Sequence, residues 1–141
     1  MTKHWVNRFI AIPHVDLGRD AAGCDCWGLL RHVYAAEFGI SLPDYLGEYV
    51  SDEESEEVDA LVTREEPGGP WRRVEAPRPF DALLFRRGRW RSHVGIVVDA
   101  RHMLHMGDRQ SVAEDWTSAV WRRRLAGIYR HHQSPYNRSV A

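Results

Sequence analysis

Only two cysteines occur among the 141 residues, the formal net charge is -1, and there is no long apolar run. Each shortage excludes a class of protein. Two cysteines cannot staple a disulfide scaffold, and Cys24 and Cys26, two positions apart, are poorly spaced to bond to each other. The longest early apolar stretch, Phe9-Ile10-Ala11-Ile12, is too short for a signal-peptide core or a membrane span. The chain is therefore expected to be made in the cytoplasm without a signal peptide, and to be carried by something else if it acts outside. Lys plus Arg number 19 against 20 Asp plus Glu, a balance that does not support broad capture of nucleic acid or anionic lipid. No internal repeat and no low-complexity linker divides the chain.

What is present is an ordinary globular composition, 43% hydrophobic and 28% charged. It predicts one domain over residues 1–141, long enough to bury roughly two thirds of its unfolded surface. The first half reads as helical and the second as mostly strand, so the predicted class is α+β, with helices ahead of an antiparallel sheet. Cys26, Leu29, Leu30, Val33, Tyr34 and Phe38 follow a helical period, which predicts a helix over residues 26–38. Asp25 is a suitable N-cap, Gly39 suits the left-handed position past the end, and Pro43 blocks continuation. Ser51 and Glu54 match a capping box for a second helix, whose acidic start, Asp52 to Glu57, complements the helix dipole and need not bind a cation. Strands are predicted near Trp71–Val74, Ala82–Arg86, Trp90–Val98, His102–Met106, Gln110–Ala113 and Gly127–Arg130. Turns fall at Arg87-Gly88, Asp99-Ala100-Arg101 and Gly107-Asp108.

Chemistry gathers around Cys26, in the first turn of the first helix. Helix N-termini carry partial positive charge and outward N–H donors, which favour a thiolate. Cys24 precedes the helix and lacks that support, though it is the competing nucleophile. His93, in Ser92-His93-Val94-Gly95-Ile96-Val97-Val98, is the candidate base, and Gly95 on the same strand face leaves open space beside it. His105, on the next strand, is the candidate to orient the His93 ring. His102 is its competitor but adjoins the turn. Cys24, Cys26 and nearby histidines also invite a zinc reading. Cys-x-Cys lacks the usual knuckle spacing and no second pair exists, so no metal or cofactor is expected. Arg86-Arg87-Gly88-Arg89-Trp90-Arg91 and Trp121-Arg122-Arg123-Arg124 are basic and aromatic, and read as solvated surfaces rather than a nucleic-acid site.

The pattern resembles the NlpC/P60 superfamily of papain-like cysteine peptidases, and within it the subgroup carried in phage tail and gene-transfer-agent clusters. The resemblance rests on Gly23-Cys24-Asp25-Cys26-Trp27-Gly28-Leu29-Leu30-Arg31 followed by Phe38-Gly39-Ile40-Ser41-Leu42-Pro43. It rests also on Arg78-Pro79-Phe80-Asp81-Ala82-Leu83-Leu84-Phe85 leading to His93-Val94-Gly95-Ile96-Val97, on Met103-Leu104-His105, and on the closing Gly127-Ile128-Tyr129-Arg130. It implies Cys26 as nucleophile, His93 as general base and His105 as its orienting partner. It further implies peptidoglycan stem peptides as substrate, tail hub or baseplate proteins as partners, and action in the periplasm of a target cell. Two departures stand out. His14 occupies the region where many members have a tyrosine, with only Gly18 of a usual glycine pair. Phe80 replaces the glycine usual before Asp81. Asp25 caps the helix and is also a candidate for binding a substrate amine, and His14 for positioning substrate. A structural tail-hub protein with idle catalytic residues, and an acyl or amide transferase on the same scaffold, are the alternatives.

Overall fold

The computed structural model describes residues 2–15, 18–42, 70–87 and 90–137. The helix expected after Ser51, the Pro43 stop and the tip of the Arg87-Gly88 turn lie outside the described residues. A 3-10 helix, Thr2–Phe9, opens the chain and is followed by a two-stranded hairpin, β1 (Arg19–Asp20) with β2 (Gly23–Cys24). Next come α1 (Cys26–Phe38) and the strands β3 (Trp71–Val74), β4 (Ala82–Arg87), β5 (Trp90–Val97), β6 (His102–Met106) and β7 (Ser111–Asp115). A short helix, α2 (Ala119–Arg124), then leads into β8 (Leu125–His131). Six strands form one antiparallel sheet in the order β3-β8-β4-β5-β6-β7. No helix among the described residues is long and apolar enough to cross a membrane.

Helix α1 starts and stops where side-chain chemistry dictates. The Asp25 carboxylate accepts a hydrogen bond from the Gly28 N–H at 2.7 Å, satisfying one of the first-turn donors. Gly39 closes the helix at φ 66°, where its lack of a Cβ removes the left-handed penalty, and its N–H returns to the carbonyls of Ala35 and Tyr34. Leu29, Leu30, Val33 and Tyr34 are buried along α1 and pack against Ala82, Leu84, Val94, Ile96 and Leu104. The alternate residues Leu83, Phe85, Val97, Met103 and Ile128 face the other way and are covered by Trp116, Trp121 and Leu125. Burial of each such side chain contributes about 1.5–3 kcal/mol, so the α1 face alone fixes the helix to the sheet.

The Phe80 departure has a physical basis. Its φ is 73°, in the left-handed region where glycine is at ease. A non-glycine residue there costs roughly 1–2 kcal/mol. The ring offsets this: it stacks on Trp5 at 4.2 Å between centroids and meets Phe38 edge-on at 4.6 Å. A buried phenyl contributes about 1.5–3 kcal/mol, and each aromatic pair roughly 0.5–1.5 kcal/mol more. Phe80 also stays tied to the sheet, its N–H donating to the Val97 carbonyl at 2.8 Å while the Tyr34 hydroxyl donates to its carbonyl.

At the end of β8, His131 is packed edge-on against Trp71 at 5.0 Å and accepts the Gln133 N–H on Nδ1 at 3.1 Å. Burial, with a smaller push from His132, lowers its pKa from 6.5 to about 4. Between those values the unfolded chain binds more protons than the native one, so stability falls as pH drops through the window. The expected loss is at most about 3 kcal/mol. Urea unfolding at about pH 7 and about pH 4.5 measures it, and His131→Gln should flatten the difference. An equal acid loss in wild type and variant contradicts this account.

Candidate active site

The start of α1 is delivered to one end of the sheet by backbone pairing. The Cys24 N–H donates to the Pro13 carbonyl and the Val15 N–H to the Cys24 carbonyl, both at 3.0 Å. The same segment joins the turn between β6 and β7: Pro13 bridges Gln110, the Ser111 N–H donates to the Ile12 carbonyl, and the His14 N–H donates to the Arg109 carbonyl. Gly28 allows the approach, since a Cβ there would lie 1.9 Å from the Gly18 carbonyl oxygen. Cys26, the first residue of α1, is thereby held at the β6–β7 turn end and is 2% exposed. Cys24 is fully buried within β2, not at a helix start.

The two histidines lie at that same end. The ladder between β5 and β6 runs through Gly95–His105 and goes no further, and His93 stands two residues beyond its last pair. His93 Nε2 and His105 Nδ1 are 2.9 Å apart, with the rings perpendicular at 89°. Of the two β6 histidines, the one in contact with His93 is therefore His105. His102 is exposed and turned to the Asp99 carboxylate, 3.0 Å from its Nδ1. The space expected beside Gly95 is not open: a Cβ there would lie 2.7 Å from the Met103 sulfur. Glycine is needed at that position for packing between neighbouring strands rather than for access.

Two further side chains join the histidines. His105 Nε2 lies 2.7 Å from Glu114 Oε1, and the Trp121 indole N–H donates to Glu114 Oε2 at 2.6 Å. Trp121 also stacks on His93 at 5.7 Å between centroids, inclined by 24°. Burial raises the Glu114 pKa, but hydrogen bonds from Trp121 and His105 outweigh it and hold the carboxyl below its usual value. Sequence reasoning missed Glu114 because it ended the β7 strand at Ala113, and it read Trp121 as part of a solvated surface, whereas the ring is half-buried against Phe85, His93 and His105. The signal lay in the hairpin register: β6 pairs with β7 so that Glu114 is opposite Met103 and diagonal to His105 on one face. Of the remaining candidates, the Asp25 carboxylate is fully buried at the α1 cap. His14 lies in the segment beside Cys24, its Nδ1 3.2 Å from the Asp108 carbonyl oxygen.

A thiol on the first turn of a helix and a sheet-borne imidazole pair are the groups that nucleophilic thiol catalysis requires. Residues 13–130 match the model of the NlpC/P60 family, and the chain belongs to that family of cysteine peptidases. Solved structures agree on the fold. A protein described as similar to lipoprotein, NLP/P60 family, from Staphylococcus aureus subsp. aureus Mu50 superposes with TM-score 0.65 at 20% identity, covering 94% of this chain and 41% of that one. The NlpC/p60 domain of the peptidoglycan hydrolase SagA gives TM-score 0.59 at 19% identity, covering 90% and 93%. An NlpC/P60 family protein from Bacillus cereus ATCC 10987 gives TM-score 0.65 at 18% identity, covering 93% and 40%. The chain therefore spans about two fifths of the length of the first and third. No curated protein sequence gives a significant match.

Proposed function

We propose that this protein is a cysteine endopeptidase that hydrolyses the stem peptides of bacterial peptidoglycan. In this reading Cys26 is the nucleophile, His93 the general base and His105 its orienting partner. The observation that carries it is the 2.9 Å contact between His93 and His105 at the sheet end where α1 begins. Contact with His105 engages Nε2, so proton transfer to and from the thiol falls to His93 Nδ1. The thiolate adds to the carbonyl carbon of the scissile amide. The Cys26 backbone N–H, at the helix start, is a suitable donor to the oxyanion. The imidazolium then protonates the leaving amine, and water, deprotonated by the same ring, releases the acyl group as a free acid.

The substrate class is supported by family membership and by the SagA domain, itself named a peptidoglycan hydrolase. His14, beside the Cys24 strand, is assigned to positioning the peptide, and Asp25 to a substrate amine as well as the helix cap. The finer reading, a phage-like tail or gene-transfer-agent component that opens the wall for DNA passage beside hub or baseplate proteins, is supported by Phe38-Gly39-Ile40-Ser41-Leu42-Pro43 and by Gly127-Ile128-Tyr129-Arg130. Delivery by a particle gives such an enzyme its route to the periplasmic face of the wall. Incubation with purified sacculi tests the activity: peptide fragments with new carboxyl ends are expected from wild type. Intact sacculi after prolonged incubation, or a transferred group on the product, count against hydrolysis.

A further inference from the structure

We infer that Glu114 and Trp121 act together as positioning residues that set the tautomers of His105 and His93, so that His93 presents an unprotonated Nδ1 to the thiol. The inference rests on the assignment of His93 as base and goes beyond it to how that ring is kept in its working form.

The argument is one of donors and acceptors along a chain. A carboxylate has no proton to give, so Glu114 Oε1, 2.7 Å from His105 Nε2, must accept from it. A neutral His105 protonated on Nε2 has a bare Nδ1. That Nδ1, 2.9 Å from His93 Nε2, must accept in turn, which places the His93 proton on Nε2 and leaves Nδ1 bare. The order also suits the charged state. When His93 takes the thiol proton it still donates through Nε2, and the Glu114 charge lies at the far end of the relay. Trp121 fixes the polarity of the remote end, because its indole N–H can only donate, and it donates to Glu114 Oε2 at 2.6 Å. Both carboxylate oxygens are therefore committed as acceptors.

This arrangement makes an unusual prediction for Glu114→Gln. The amide has one oxygen and one NH2, and Trp121 demands the oxygen. The NH2 then faces His105 Nε2, which must become an acceptor, so the His105 proton moves to Nδ1. His93 Nε2 must accept it, and its own proton moves to Nδ1, facing the thiol in the wrong sense. Adding Trp121→Phe removes the indole N–H and lets the amide rotate, which restores the original order.

The test uses the full chain with 15N-labelled histidine, reading imidazole nitrogen shifts by NMR, together with the rate of Cys26 alkylation by iodoacetamide near neutral pH. With Cys26 alkylated, so that no thiol proton reaches the ring, the otherwise unchanged chain should show neutral His93 protonated on Nε2 and bare on Nδ1, and the variants are read in the same state. Glu114→Gln should show the two histidines inverted and alkylation slowed about 10- to 100-fold, as when the outer hydrogen-bond partner of a metal-bound imidazole is lost. Glu114→Gln with Trp121→Phe should regain most of that rate and the original tautomers. An unchanged His93 tautomer in Glu114→Gln, or a double variant no faster than the single one, overturns the inference. Both readouts are independent of peptide hydrolysis. Inverted tautomers in Glu114→Gln, with sacculi left intact by the wild-type protein, would therefore sink the substrate reading and leave this one standing.

Discussion

Cys26→Ala is expected to lower peptide release from sacculi by about four to six orders of magnitude, because no other group in the chain replaces an attacking sulfur. Cys26→Ser should behave almost as badly, since a hydroxyl at this site lacks the low-pKa sulfur that a helix start and an imidazole can ionise. Cys24→Ala separates position from chemistry. Its sulfur is fully buried in β2, between backbone bonds to Pro13 and Val15. Its loss should cost about 1 kcal/mol of stability and change turnover by no more than a few-fold. The helix start matters here, and two residues upstream it is absent. Retention of activity in Cys26→Ala, or its loss in a folded Cys24→Ala, reverses the assignment.

Arg130→Met is expected to cost about 3–5 kcal/mol of stability. Asp81 is fully buried, and Arg130 holds it with two parallel bonds, Nε to Oδ1 at 2.8 Å and Nη2 to Oδ2 at 2.7 Å. Nη2 also reaches the Ala76 carbonyl at 3.0 Å, while the Arg78 N–H donates to Asp81 Oδ2 at 2.8 Å. The guanidinium pKa is raised, first by its hydrogen bonds to Asp81 and against the cost of burial. The Tyr34 hydroxyl is kept protonated by burial and by the nearby Asp81 charge. Removing the cation alone leaves a carboxylate in the core with one N–H partner, and that unpaired charge is the source of the cost. Replacing both partners, Asp81→Leu with Arg130→Met, should be much less harmful than the sum of the single changes, because neither charge is then left alone. Urea denaturation of the two single variants and the double measures the coupling. Additive losses contradict a paired charge as the stabilising feature. The pair joins the residue before β4 to β8, so its loss acts on sheet assembly rather than on the thiol.

Much of this was legible in the sequence, for reasons that are local. The Asp25 cap, the Gly39 stop and the apolar spacing of α1 are set within a few turns of one another, and the structure has them at the predicted residues. Strands β3 and β6 also fall where alternation and turn residues put them. What the sequence hid depends on register or on distant partners. Glu114 needs the β6–β7 pairing to be seen as a neighbour of His105. α2 is six residues long and has no side-chain cap bond, so it left no periodic trace. The tie from Pro13 to Gln110 is backbone pairing between segments nearly a hundred positions apart, and nothing in either segment's composition announces it.

In the proposed mechanism the helix start and the His93 ring together keep the Cys26 sulfur anionic, although it is almost fully buried. Burial alone pushes a thiol pKa up, while the helix end and an adjacent imidazolium pull it down. The direct measurement is the pH dependence of Cys26 alkylation, followed by peptide mass spectrometry in wild type and in His93→Gln. Wild type should titrate well below the free-thiol value of about 8.5, and His93→Gln should move the midpoint up by at least about one unit. A wild-type midpoint at or above the free-thiol value, unmoved by His93→Gln, would contradict the account.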